Sequence, residues 1–180
     1  LPIVDKPLIQ YAFEEAKNSG IEKFIFITGR NKNVLANHFD HAYELQKTLE
    51  EKQKNEVLEL VKNWLPEAGS IAFIRQREPL GLGHAVLCAK NFVNEPFAVL
   101  LADELFLSEK PVLGEMIESY NKTGGNVILV KEEERQKTKL YGVIEPEGAR
   151  NGKNIKVKSM VEKPDPAKAP SNYCVTGRYI

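Results

Sequence analysis

Between residues 7 and 18 the apolar positions fall at 8, 9, 12, 13 and 16, the spacing of one helix face, and Gly20 stands where such a helix would stop. "KFIFIT", residues 23 to 28, is instead an unbroken β-branched and aromatic run, which predicts a buried strand. "NVLANHF" suits a short helix. From 41 to 64 the chain is mostly polar, with Leu and Val at 45, 49, 57, 58, 60 and 61, and predicts one or two surface helices. Strands are expected at 70–75 and 97–101, with a helix from about 83 to 89 between them. A helix over 111–120 opens on Pro111 and closes at Gly124 and Gly125. Four more strands are expected at 126–131, 141–145, 155–161 and 173–180.

Helices alternating with short apolar strands through the first two thirds call for a doubly wound α/β fold, its sheet mainly parallel and covered on both faces. The last third is rich in strands and turns, with Gly148, Gly152, Pro164, Pro166 and Pro170, and predicts an antiparallel extension. In such a sheet, ligands sit beyond the carboxyl ends of the strands.

A chain of 180 residues is long enough for one domain with its own core. Its 25 basic residues balance its 25 acidic ones, so no net field draws it to nucleic acid or to an anionic membrane. No apolar run approaches the roughly 18 residues of a membrane span. Cys88 and Cys174 stand alone, without metal-ligand spacing, which suits a reducing cytoplasm. The sequence opens at "LPIVDKPLIQYA" and stops at "TGRYI", inside an expected strand, which reads as an internal piece of a longer protein.

Chemistry is concentrated at a few places. "FAVLLADELF" runs an apolar strand into Asp103 and Glu104. Two carboxylates at a strand exit suit a hard cation that grips phosphate oxygens, though Asp103 could equally cap a turn while Glu104 is solvated. "RQREPLGLGHAV" places Gln76, with a donor and an acceptor for a base edge, ahead of Gly81 and Gly83 where a strand hands over to a helix. A tight turn would ask for the same glycines, and the third glycine of a dinucleotide fingerprint is missing. "VEKP" ends a strand with Glu162 and Lys163, an acceptor for sugar hydroxyls and a point charge for phosphate, or else a surface ion pair. Gly142 in "LYGVIEP" points to close approach of another group, or to a bulge. His38 and His41 lack a partner at zinc-ligand spacing, and His84 suits packing or capping.

Taken in order, "LPIVDKPLIQYA", "RQREPLGLGHAVLCA", "LLADELF", "YGVIEP", "VEKP" and "GRYI" resemble the bacterial UTP–glucose-1-phosphate uridylyltransferases, or UDP-glucose pyrophosphorylases. The likeness runs across nearly the whole chain and includes the charged helical region, which is not usual in the related thymidylyltransferases. It implies one nucleotidyltransferase domain over 1–180 and the Mg²⁺-dependent reaction of UTP with glucose 1-phosphate to give UDP-glucose and pyrophosphate. It also implies a cytoplasmic homo-oligomer. Gln76 and Gly81 match positions that meet the uracil, where a base edge would leave no room for a Cβ. Asp103 matches the metal carboxylate, and Gly142, Glu162 and Lys163 match positions that hold the glucose and the phosphates. Asp103 and Lys163 would thus carry the catalysis.

Two features depart from the pattern. The family's glycine-rich loop would precede Leu1, and a later metal carboxylate would follow Ile180. Glu104 stands where the family usually has a second Asp, which leaves the fine geometry there open. Two other readings remain: a different sugar-1-phosphate nucleotidyltransferase, such as a thymidylyltransferase, or a non-catalytic module on the same fold.

Overall fold

The structure is a computed structural model and describes residues 2–30 and 32–180. The described residues form two compact units: a continuous one, Ile21–Glu95, and a discontinuous one built from the segments before and after it. In chain order the elements are β1 (Pro2–Ile3), β2 (Lys6–Pro7), α1 (Leu8–Asn18), β3 (Phe24–Thr28), α2 (Asn33–His38), α3 (Tyr43–Glu51), α4 (Asn55–Asn63), β4 (Ile71–Arg75) and α5 (Leu82–Leu87). They continue with β5 (Val99–Leu100), α6 (Val112–Thr123), β6 (Ile128–Glu132), β7 (Gly142–Pro146), β8 (Val157–Glu162) and β9 (Tyr173–Tyr179).

In the continuous unit β3 and β4 pair in parallel, from Phe24 opposite Ile71 to Thr28 opposite Arg75. Both strands therefore release their chains at the same edge, where the Gln76 N–H still donates to the Thr28 carbonyl at 2.8 Å. The polar stretch after α2 is two helices, α3 and α4, packed as a hairpin. They part at Gln53, whose φ of 49° ends the helical path without a glycine. Each helix buries one leucine, Leu49 and Leu58, as its apolar spacing requires. His38 stacks on Trp64 with ring centres 4.9 Å apart, so it serves an aromatic cluster with Phe39. No cluster of three or more metal-binding side chains occurs among the described residues.

The discontinuous unit carries a five-stranded sheet centred on β9. β6 pairs antiparallel with β9 from Tyr173 to Tyr179, filling one edge. The other edge is shared: β5 pairs at Tyr179 and Arg178, and β7 joins at Cys174. β8 pairs with β7 and forms the outer strand. The expected parallel pairing is thus that of β3 with β4, and the antiparallel part begins one strand earlier than expected, at β5. The core of this unit includes Leu113, Val143, Ile144 and Cys174, each 0% exposed. α1 turns Ala12, Phe13 and Ala16 inward and packs against α6, which opens after Pro111 and closes on Gly124 at φ 71°. Among the described residues no helix is long and apolar enough to cross a membrane.

Candidate active site

In the continuous unit the structure brings together Gln76, Gly81 and His84. The Gln76 amide donates from Nε2 to the Gly81 carbonyl at 3.1 Å, and the same nitrogen lies 3.0 Å from His84 Nδ1. The amide oxygen is therefore the end of Gln76 left over for reading a base edge. Gly81 has φ 91° as it enters α5, a conformation that disfavours any side chain. A Cβ placed there meets nothing within 4 Å, so the turn alone requires this glycine; crowding by the chain does not. At the shared exit of β3 and β4, a hollow is lined by residues that include Thr28, Gly29, Lys32, Asn33, Phe73 and Arg75, and not by Gln76 or Gly81.

The discontinuous unit holds Asp103, Gly142, Glu162 and Lys163. Gly142 opens β7 directly opposite Glu162, the last residue of β8. A Cβ on Gly142 would lie 3.2 Å from Glu162 Oε2 and 3.4 Å from Met160 Sδ, so the group that comes close to this glycine is the Glu162 carboxylate itself. Lys163 follows with φ 46°, a left-handed conformation that costs a non-glycine residue about 1–2 kcal/mol. Its N–H is tied to the Tyr141 carbonyl at 2.9 Å and its successor Pro164 is buried, which together hold the strained turn. The side chains face outward: Lys163 Nζ is 3.8 Å from Glu162 Oε1, with 62% and 72% of the two side chains exposed. The surface ion pair is therefore present, and it is loose and wet enough for either partner to turn to a ligand.

Asp103 lies in the loop that follows β5. The Glu104 N–H reaches back to the Leu101 carbonyl at 3.4 Å, which sets Ala102 and Asp103 at the middle of a turn. Asp103 is exposed. No described residue forms a hydrogen bond or ion pair with its carboxylate, so it does not cap the turn. Glu104 is half-buried rather than solvated: its Oε1 would sit 3.2 Å from a Cβ on Gly177 in β9. A hard, unengaged carboxylate at a strand exit is the donor type that Mg²⁺ takes alongside phosphate oxygens and water, so Asp103 fits that ion.

Tyr179 links this loop to the β7–β8 corner. Burial pushes its phenol above the ordinary value of 10.0, and the carboxylates of Glu104 and Glu162 add to the shift. Below pH 10 the hydroxyl is neutral in both folded and unfolded chains. Above it the unfolded chain gives up the proton first, so stability falls as pH climbs through the raised folded value. Thermal melts at about pH 9 and 11 should show a smaller alkaline loss in Tyr179→Phe than in the wild type. Equal losses would remove Tyr179 from this role.

Residues that the sequence reading passed over lie beneath the Asp103 loop. Arg178 in β9 is 1% exposed and pairs with Glu15 of α1, Nη2 to Oε2 at 2.7 Å. Its remaining donors reach the carbonyls of Leu101, Gly177 and Glu104 at 3.0, 2.9 and 3.1 Å. The Phe106 ring centre lies 4.7 Å from the guanidinium carbon. Glu15 Oε1 also accepts from the Leu113 N–H at 3.2 Å, in the first turn of α6. Gly177 completes the arrangement, since a Cβ there would fall 2.6 Å from Leu101 Cβ. An arginine inside an otherwise uncharged strand was the available signal, because charges are almost never fully buried unless paired.

Comparison with known proteins follows the same lines. The family model described as Nucleotidyl transferase matches residues 1–180. The UTP–glucose-1-phosphate uridylyltransferase of Bacillus subtilis is 48% identical over 181 aligned residues, covering 100% of this chain and 61% of that protein. A second B. subtilis relative, the UTP–glucose-1-phosphate uridylyltransferase YngB, is 47% identical over 100% of this chain and 60% of its own. The chain thus spans about three fifths of the length of these relatives. Among solved structures, a UTP-bound UGPase from Acinetobacter baumannii superposes with a TM-score of 0.89 at 40% identity, over 99% of this chain and 64% of that one. A UDP-glucose pyrophosphorylase complexed with UDP-glucose gives a TM-score of 0.86 at 41% identity, over 99% of this chain and 65% of that one.

Proposed function

Because this chain belongs to the nucleotidyl transferase family, we propose that it serves uridylyl transfer from UTP to glucose 1-phosphate, giving UDP-glucose and pyrophosphate. The observation that carries the reading is the match over the whole of this chain, at 48% identity, to a protein named for that reaction. The unengaged Asp103 and the Gly142–Glu162–Lys163 corner supply chemistry of the right kind. An oxygen of the glucose 1-phosphate attacks the α-phosphorus of UTP; a new P–O bond forms, the α–β bridging bond breaks, and pyrophosphate leaves. The nucleophile is already ionised, so no side chain has to act as a base. What the protein must do is align two polyanions and offset their repulsion.

Asp103 would hold Mg²⁺, which draws negative charge off the triphosphate. Lys163 would swing from Glu162 to the incoming sugar phosphate, and Glu162, so released, would accept from sugar hydroxyls. Gln76 would present its amide oxygen to the uracil beside Gly81. The free Cys88 and Cys174 are consistent with a cytoplasmic setting.

The direct test offers UTP or dTTP with glucose 1-phosphate and Mg²⁺ to the protein that carries this chain, and follows nucleotide sugar and pyrophosphate. UTP should be turned over in preference. Preference for dTTP, or no nucleotide sugar at all, would overturn the reading. Lys163→Ala should lower kcat/KM for glucose 1-phosphate about 10–100-fold, the loss of one charged hydrogen bond, with KM for UTP little changed. Lys163→Gly, free of the backbone strain, should be at least as stable yet equally impaired. An unchanged kcat/KM in both would remove the lysine from the mechanism.

A further inference from the structure

Asp103 is exposed at the middle of a turn whose two ends are both fastened to one buried side chain. The Leu101 carbonyl, two residues before it, accepts from Arg178 Nη1, and the Glu104 carbonyl, one residue after it, accepts from Arg178 Nη2. The guanidinium is itself held from behind by both oxygens of Glu15, with Nε 3.3 and 3.1 Å from Oε1 and Oε2. All five of its N–H groups are engaged, and the Phe106 ring covers it. Gly177 removes the one Cβ that would lift the end of β5 off this platform. At 1% exposure the Arg178 side chain is shut off from solvent.

We propose that Arg178 is a positioning residue for the transfer reaction: by gripping the carbonyls on either side of Asp103, it fixes the direction in which that carboxylate meets the cation and the triphosphate. The proposal rests on the reading of Asp103 given above. A flexible turn would let the carboxylate wander over several ångströms, and transfer chemistry tolerates misplacement poorly, with about 1 Å costing on the order of 10²-fold. Lysine in this place would keep the charge for Glu15 but would lack the planar fork needed to reach two carbonyls at once.

The test uses the full-length protein with Arg178→Lys, Asp103→Asn and the double variant. Three quantities are read: Mn²⁺ affinity in the presence of UTP by electron paramagnetic resonance, amide exchange over residues 102–105, and kcat. Arg178→Lys should weaken Mn²⁺ binding about tenfold, speed exchange in the turn and lower kcat about 10–100-fold, with KM for glucose 1-phosphate within about twofold. In the double variant the loss should equal that of Asp103→Asn alone, because the arginine acts through that carboxylate. Wild-type Mn²⁺ affinity in Arg178→Lys, or losses that multiply in the double variant, would overturn the positioning role. Wild-type Mn²⁺ affinity and turnover in Asp103→Asn would instead overturn the parent reading. If Arg178→Lys does not fold, Glu15→Gln carries the test, since it loosens the guanidinium from behind; unchanged Mn²⁺ affinity there would also sink the proposal.

Discussion

Replacing Asp103 with asparagine should reduce the proposed UDP-glucose formation by about a thousandfold or more, equivalent to roughly 4 kcal/mol of transition-state stabilisation, while leaving the fold intact. The size follows from what is removed. Asparagine keeps the shape and one carbonyl oxygen but not the negative charge, so the proposed cation would lose the exposed carboxylate of the 101–104 turn. The neutrality of the change for folding follows from exposure. No described residue bonds to this carboxylate, and surface substitutions of that kind fall within about ±0.5 kcal/mol. Pyrophosphate release and a thermal melt, measured on the same preparation, separate the two effects. Turnover near wild type would take Asp103 out of the chemistry, and a collapsed melt would mean that the turn depends on its carboxylate after all.

Glu15→Ala should have the opposite profile, with the largest effect on stability. It strips the counter-charge from an arginine that is 1% exposed and opens the first turn of α6, where Leu113 donates to the same carboxylate. Breaking one side of a buried ion pair costs about 3–5 kcal/mol, because the partner is left charged and desolvated. For a chain of this size that corresponds to a fall in Tm of roughly 10 °C. A double variant replacing Glu15 and Arg178 by leucine and methionine should recover much of the loss, since two apolar groups in that space leave nothing unpaired. A Tm within about 2 °C of wild type for Glu15→Ala would mean that water reaches the guanidinium and screens it.

Much of the architecture was legible because it is local. Pro111 and Gly124 bracket α6 as expected, though the helix runs three residues past 120, to Thr123, and the β-branched run up to Thr28 is β3. The break between α3 and α4 was not legible, because Gln53 takes a positive φ that composition assigns to glycine. β1 and β2 are two residues each, too short for any periodicity, and hinge on Val4 at φ 59°. The two glycines of the candidate sites show how one residue type hides two causes. Gly81 answers to its own backbone angle, whereas Gly142 makes room for a carboxylate on the neighbouring strand. The platform under Asp103 left still less trace. Glu15 sits on α1 and Arg178 in β9, and nothing in either neighbourhood announces a partner 163 positions away.

That separation bears on how the chain is made. α1 leaves the ribosome 98 residues ahead of Leu113 and 163 ahead of Arg178, the groups that its Glu15 carboxylate receives. Everything from Ile21 to Glu95, including the local β3–β4 pairing, is synthesised before the Leu113 N–H and the Arg178 guanidinium that Glu15 receives. At about 5–20 residues per second, that wait lasts on the order of ten seconds. Through that interval the Glu15 carboxylate has neither of these two partners, and β9 is the last strand that has to arrive before its ion pair can close.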